Sequence, residues 1–209
     1  MKTIKTPIGE MTVRNHFDEE VIKEVIIDLE YERWGEITIN EGDTVIDCGA
    51  HIGSFTRLAL ANKANVIAIE PEEKNFELLK INTEGQENLK LVNVLLWTGK
   101  DVAFKVDPKR GELNKIDGDG VMQPSVKLDD LITKFKVEKI DLLKMDIEGA
   151  EYEVLYNFKH LKLVEQLTME WHYGSSNLAK LILFLEKNGL TVVWLGGNGD
   201  WGKLQAKRK

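Results

Sequence analysis

Residues 44–55 read TVIDCGAHIGSF, and this stretch constrains the fold more than any other. Val45 and Ile46 open it as a short β-branched run, the pattern of a buried strand. Gly49 and Gly53 break the run, after which Phe55, Leu58, Ala59 and Ala61 recur at helical spacing. Strand, glycine turn and helix bring backbone N–H groups and a helix N-terminus up to a ligand.

The spacing narrows the ligand. A dinucleotide fingerprint requires G-x-G-x-x-G. Aligned on Gly49, this chain has His51 and Ser54 at the second and third glycine positions. The pattern is D-x-G-A-x-x-G, with an acid on the strand, which favours a cationic ligand carrying an amino acid. Asp47 is expected to hold its ammonium, directly or through water. A second strand at 65–69 ends in Glu70 and Pro71, and Glu70 follows Gly53 by 17 residues. An acid at that strand tip accepts hydrogen bonds from both ribose hydroxyls. Together these features point to S-adenosylmethionine.

The remaining order is strand and helix in alternation, which demands a parallel sheet. Residues 2–14 read as a hairpin. Asp18 reads as the N-cap of a helix over 19–32, whose end places Tyr31 and Glu32 within reach of the ligand. Further strands are expected at 90–96, 102–106, 140–146 and 164–171, and helices at 72–83, near 151–158 and at 175–189. A short helix starts at 128–132. Residues 107–124 are rich in glycine, proline and charge and read as a loop that orders over the acceptor as a lid. Its DGDG run at 117–120 reads as a turn rather than a calcium loop. Asn198-Gly199 between two apolar runs signals a terminal hairpin. The fold expected is α/β: a mostly parallel seven-stranded sheet, helices on both faces and a C-terminal antiparallel hairpin. It forms a single domain over 1–209, with an N-terminal hairpin and helix in 1–40 and the α/β core in 41–209.

A second group of residues belongs to the rim of that sheet. Lys144 and Asp146 are two apart on a strand and face one way. Glu148 follows in the turn, and Glu170 and His172 are two apart at the next strand tip. Ligands of open α/β sheets lie beyond the carboxyl ends of the strands, so these side chains are expected to converge with Asp47 and Glu70. Two carboxylates and an imidazole suit general-base removal of a hydroxyl proton. They also suit a hard divalent cation, magnesium or manganese, held by Asp146, Glu170 and His172.

Composition sets bounds on partners. A net charge of −7 argues against a broad nucleic-acid face. The single cysteine, Cys48, excludes a disulfide within the chain and fits a reducing compartment. The N-terminus has no apolar core behind Lys2 and Lys5, and no apolar run approaches a membrane span. The expectation is a soluble, cytoplasmic monomer or homodimer acting on a small molecule or glycan, without nucleic acid or membrane.

The succession VIDCGAHIGSF (45–55), VIAIEPEEKNFELLKIN (66–82), SVKLDDL (125–131), DLLKMDIEGAEYEVL (141–155) and MEWH (169–172) resembles the FkbM family of S-adenosylmethionine-dependent methyltransferases, of Rossmann-like class I fold. The KMDIEGAE block is its most specific part. The resemblance implies O-methylation of a hydroxyl on a sugar or a polyketide-type small molecule, and the compact chain is similar to members that decorate glycans, with a deoxyhexose such as rhamnose as acceptor. It implies cofactor contacts at Asp47, Gly49, Ala50, His51, Gly53, Glu70 and Pro71. It implies a chemical centre at Lys144, Asp146, Glu148, Glu170 and His172. Residues 95–99, LLWTG, depart from the family's Ala-Leu-x-Asp pattern, so no adenine contact is assigned. Methylation of RNA or protein, and a non-catalytic nucleotide-binding subunit, are the competing readings.

Overall fold

The structure is a computed structural model; it describes residues 1–31, 36–107, 115–116, 118–172 and 174–209. Strands β1 (Lys2–Thr6) and β2 (Gly9–Val13) form the N-terminal hairpin, followed by α1 (His16–Ile22) and a π-helical turn at Lys23–Ile27. The core then runs β3 (Thr44–Cys48), α2 (Ser54–Ala61), β4 (Asn65–Ile69), α3 (Glu73–Asn82), β5 (Leu89–Val92), β6 (Leu95–Leu96) and β7 (Val102–Lys105). Short strands β8 (Lys115–Ile116), β9 (Val121–Gln123) and β10 (Ser125–Val126) lead to α4 (Leu128–Phe135). The chain finishes with β11 (Ile140–Met145), α5 (Glu151–Asn157), β12 (Val164–Trp171), α6 (Ser175–Lys187), β13 (Leu190–Gly197) and β14 (Gly202–Arg208).

The main sheet has seven strands in the order β13-β14-β12-β11-β3-β4-β5. The five from β12 to β5 are parallel, and β14 pairs antiparallel with both its neighbours. The expected sheet and terminal hairpin are therefore present. The strands are apolar on both faces because each face is covered. Val45, Val66 and Ala68 pack with α2, α3 and the N-terminal hairpin and helix on one side. Ile46, Ile67 and Ile69 pack with α4, α5 and α6 on the other. The chain runs outward from β3 to β5 and returns on the far side at β11. That reversal between β3 and β11 opens a crevice at the strand ends.

Four local expectations change. Asn15, not Asp18, caps α1, accepting the Asp18 N–H at 3.2 Å. Asp18 is instead gripped by the Arg14 guanidinium, at 3.0 Å from Nε and 2.8 Å from Nη2, a stronger partner than a helix amide. The helix also ends in the π turn, before Tyr31. The strand expected over 90–96 breaks after Val92, and Leu95–Leu96 pairs with β10 outside the main sheet. Finally, the expected loop at 107–124 contributes β8 and β9, which flank β7 in a three-stranded antiparallel sheet. Residues 108–114, Asp117 and Glu32 lie outside the described residues.

Candidate active site

The crevice at the β3–β11 reversal is a cavity of about 560 Å³. One end is built by the glycine turn. Gly49 N–H and Ala50 N–H both donate to the Ile69 carbonyl, at 3.0 and 2.9 Å, which folds the turn over the tip of β4. Gly49 has φ +80°, and a Cβ there would lie 1.8 Å from the Asp146 carbonyl oxygen. Only glycine lets the two strand ends approach this closely. Gly53 serves a different purpose. It begins α2 at φ +94°, its missing Cβ faces Leu79 of α3, and it does not line the cavity.

Glu70 does line the cavity and is 4% exposed. One carboxylate oxygen accepts the His51 N–H at 2.9 Å. The other accepts the Glu72 N–H at 2.9 Å and the Asn75 side-chain amide at 3.2 Å. Burial pushes its pKa up to about 7, against these hydrogen bonds. Pro71, Ala50 and His51 line the same end. Burial pushes His51 down to about 4, so it is a neutral imidazole whose Nε2 faces Arg14 Nη2 at 3.3 Å. Val94, Leu95, Leu96, Phe104 and Ile116 supply an apolar wall, which the broken third strand and the three-stranded sheet create together.

Asp47 departs from the expected ligand contact. It is fully buried behind the cavity wall. It accepts the Thr56 hydroxyl at 2.6 Å and pairs with the Lys144 ammonium at 3.3 Å. Lys144 borders the cavity but is 3% exposed and turns its ammonium inward. Its ammonium donates to the Gly49 carbonyl at 2.7 Å and lies 3.9 Å from Asp146. Its charge holds the glycine turn to β11, so it is a positioning residue rather than one aimed at an acceptor.

The other end of the cavity gathers Asp146, Glu148, Glu170 and His172, as the spacing implied. The Tyr31 hydroxyl donates to Asp146 at 2.8 Å, and Tyr31 is buried under the cations of Lys144 and Lys203, 5.5 and 4.7 Å from its ring. Glu170 pairs with Lys203 at 3.0 Å, and Lys203 also reaches Glu30 at 2.5 Å. Burial and the Asp146 charge push Glu170 up to about 7, partly offset by Lys203. Glu148 has φ +52°, a strained backbone for a side chain this size. The strain is held by Glu151, which is fully buried and accepts the N–H groups of Ile147 and Gly149 at 3.0 and 3.1 Å.

Glu151 has a second task. Its carboxyl lies 3.3 Å from His172 Nδ1, while His172 Nε2 lies 3.6 Å from Glu148 and 3.8 Å from Glu170. The Tyr152 hydroxyl donates to the His172 carbonyl at 2.7 Å and fixes its backbone. Burial opposes charge on His172, but Glu151, Glu148 and Asp146 outweigh it and push its pKa up to about 9. Burial and the Asp146 charge also push Glu148 upward.

The expected metal centre needs correction. Among the described residues, no group of three or more His, Cys, Asp or Glu side chains is arranged to hold a metal ion. Asp146 is engaged by Tyr31 and Lys144, and Glu170 by Lys203, so these carboxylates already have cationic or hydroxyl partners. Glu151, Lys203 and Glu30 were not singled out by sequence reasoning. Glu151 sits in the KMDIEGAE block, and that block was the available signal. No described helix is long and apolar enough to cross a membrane.

Residues 47–190 match the profile of the Methyltransferase FkbM domain. The hexuronic acid methyltransferase AglP of Haloferax volcanii is 30% identical over 64% of this chain, and the match spans only 58% of that relative's length. The 31-O-demethyl-FK506 methyltransferase FkbM of Streptomyces tacrolimicus is 24% identical over 92% of this chain and 90% of its own. The crystal structure of Aeropyrum pernix fibrillarin, in complex with S-adenosyl-L-methionine, superposes with a TM-score of 0.58 at 12% identity, over 98% of this chain and 81% of that one. This last likeness is one of fold.

Proposed function

This chain belongs to the FkbM methyltransferase family, and we propose that it transfers the methyl group of S-adenosylmethionine to a hydroxyl of a sugar. The relative named for hexuronic acid supports a saccharide acceptor. A deoxyhexose within a glycan is the narrower form of the proposal.

The observation that carries this reading is the two-ended cavity. At one end Glu70 stands on the tip of β4 between the His51 and Glu72 amides, and the oxygen that accepts only the His51 N–H keeps a lone pair for a ribose hydroxyl. The Gly49 turn and the apolar wall beside it leave room for the rest of the cofactor. At the other end His172 is oriented by Glu151. The cofactor supplies an electrophilic methyl group and leaves as a neutral thioether.

The chain's own residues do the rest. A sugar hydroxyl is a poor nucleophile because its pKa lies far above neutrality, so proton removal must accompany attack. Glu151 holds the imidazole by Nδ1, which turns Nε2 toward Glu148, Glu170 and the cavity. Nε2 takes the hydroxyl proton as the new carbon–oxygen bond forms. Asp146 and Glu148 then stabilise the imidazolium, and Val21 and Val25 of the N-terminal helical segment add apolar lining to the cavity.

Thermal shift tests the cofactor half. S-adenosylmethionine and S-adenosylhomocysteine should each raise the melting temperature, and NAD should not. A shift with NAD alone would overturn the assignment of the Glu70 end.

A further inference from the structure

The tip of the β13–β14 hairpin is not used by the reaction described above, yet it forms part of the cavity wall. Trp201 and Asp200 both line it. Trp201 is 48% exposed, so part of its indole is open to a molecule that enters the cavity it lines. The tip is anchored. Asp200's carbonyl accepts the Gly174 N–H at 3.2 Å, and Asn198 N–H donates to the Trp201 carbonyl at 3.1 Å. Below it, Gly197 and Gly202 pack on the buried Trp171 ring, where an added Cβ would come within 2.6 and 2.7 Å. The backbone that carries the Trp201 indole is thus held at the end of the cavity that holds His172.

The charge around it is one-sided. Glu24, Glu30, Asp146, Glu148, Glu170 and Asp200 line this half of the cavity, against Lys144, Lys203 and His172, whose ring nitrogens already face Glu148, Glu151 and Glu170. Both lysines already have acidic partners, Lys144 in Asp47 and Asp146, and Lys203 in Glu30 and Glu170. No lysine or arginine is left over among the described lining residues to receive an anion. Burial first, and then the Asp146 charge, raise the pKa values of Glu148 and Glu170.

We propose that the hairpin tip is the acceptor-selecting element: Trp201 stacks on the apolar face of a pyranose ring, and Asp200 with the neighbouring carboxylates admits uncharged sugars and rejects uronates. The inference rests on the sugar-hydroxyl reading and deepens it. An aromatic plate gives contact area at low entropic cost, and like charge supplies the rejection.

The test compares a neutral methyl hexoside and methyl deoxyhexoside with the matching methyl uronate, by S-adenosylhomocysteine release from cofactor-saturated enzyme. Wild type should favour the neutral glycosides by at least about tenfold in kcat/KM. Trp201→Ala should raise KM for them by about tenfold with kcat and cofactor Kd little changed, and Trp201→Phe should recover most of the loss. Asp200→Lys should narrow the gap to the uronate. Turnover of the uronate equal to or above the neutral sugars would overturn the charge filter while leaving sugar methylation standing. An unchanged KM in Trp201→Ala would overturn the stacking role. No transfer to any of the three by enzyme that binds cofactor would overturn both this proposal and the sugar reading beneath it.

Discussion

Lys144 lies opposite Asp47 in the register of β11 and β3, with its ammonium 3.3 Å from that carboxylate, and neither side chain is more than 4% exposed. The pair sits directly behind the glycine turn, and the same ammonium donates to the Gly49 carbonyl. A buried pair is a weak source of net stability, but losing one partner strands the other. Lys144→Ala should therefore destabilise the protein by about 3–5 kcal/mol. Adding Asp47→Asn should restore part of that loss, because the stranded charge is gone. Denaturant melts of the single and double variants check this; additive losses would show that the two charges are not coupled.

The two glycines of the turn should separate in experiment. At Gly49 a Cβ meets the Asp146 backbone at 1.8 Å, so Gly49→Ala must displace a strand end. Cofactor binding should be lost. At Gly53 the nearest atom is the flexible end of Leu79, at 2.8 Å, on the side away from the cavity. Gly53→Ala should cost about 1–2 kcal/mol through its positive φ and keep cofactor binding. Equal effects of the two substitutions on calorimetric affinity would contradict this division.

Glu70 links cofactor binding to pH. Burial raises its pKa to about 7, above the ordinary carboxylate value. Hydroxyl donors favour the ionised carboxylate, so binding should release a proton, and affinity should fall as pH drops through about 7. Glu70→Ala should weaken binding by at least about tenfold, the loss of charge-assisted hydrogen bonds. Calorimetry in buffers of different ionisation heat measures the proton directly. Affinity flat across this range would remove the carboxylate from the cofactor contact.

His172 sets the pH dependence of turnover. It acts as a base only when neutral, and its pKa is raised to about 9. The rate should climb with pH toward that value. Glu151→Gln removes the main source of the elevation and should move the rising limb toward the ordinary histidine range of about 6.5, while lowering kcat through lost orientation. The stability sign is fixed by the same shift. A raised histidine pKa contributes stability that is full below about 6.5 and lost as pH rises through about 9. A pH–rate profile for Glu151→Gln that overlays wild type would contradict the role given to this pair.

Much of the frame was legible in the residues. Strand, turn and helix at 44–61 announce themselves by local pattern, and the acid at each strand tip follows from period two. What was missed depends on long-range contact. Tyr31 reaches Asp146 across 115 positions, and Gln205 holds the Tyr31 carbonyl across 174. Neither pairing leaves a spacing signal. Asp47 and Lys144 lie on the strands expected, but their pairing crosses from β3 to β11, so each reads as a ligand group until the other is known to face it. Asp18 reads as a cap in the sequence because Arg14, four residues earlier, competes for it only once the chain turns.

The central claim is that one cavity holds the cofactor at Glu70 and a sugar hydroxyl at His172. The most direct test is methyl transfer from isotopically labelled S-adenosylmethionine to a neutral methyl glycoside, read by mass spectrometry, in wild type and His172→Ala. The account predicts a labelled methyl ether on a ring hydroxyl in wild type. It predicts that ether reduced by at least about a hundredfold in His172→Ala, the range of a lost general base, at unchanged cofactor affinity. Label on the glycoside at near wild-type rate in His172→Ala, or no label on any hydroxyl in wild type, would contradict it.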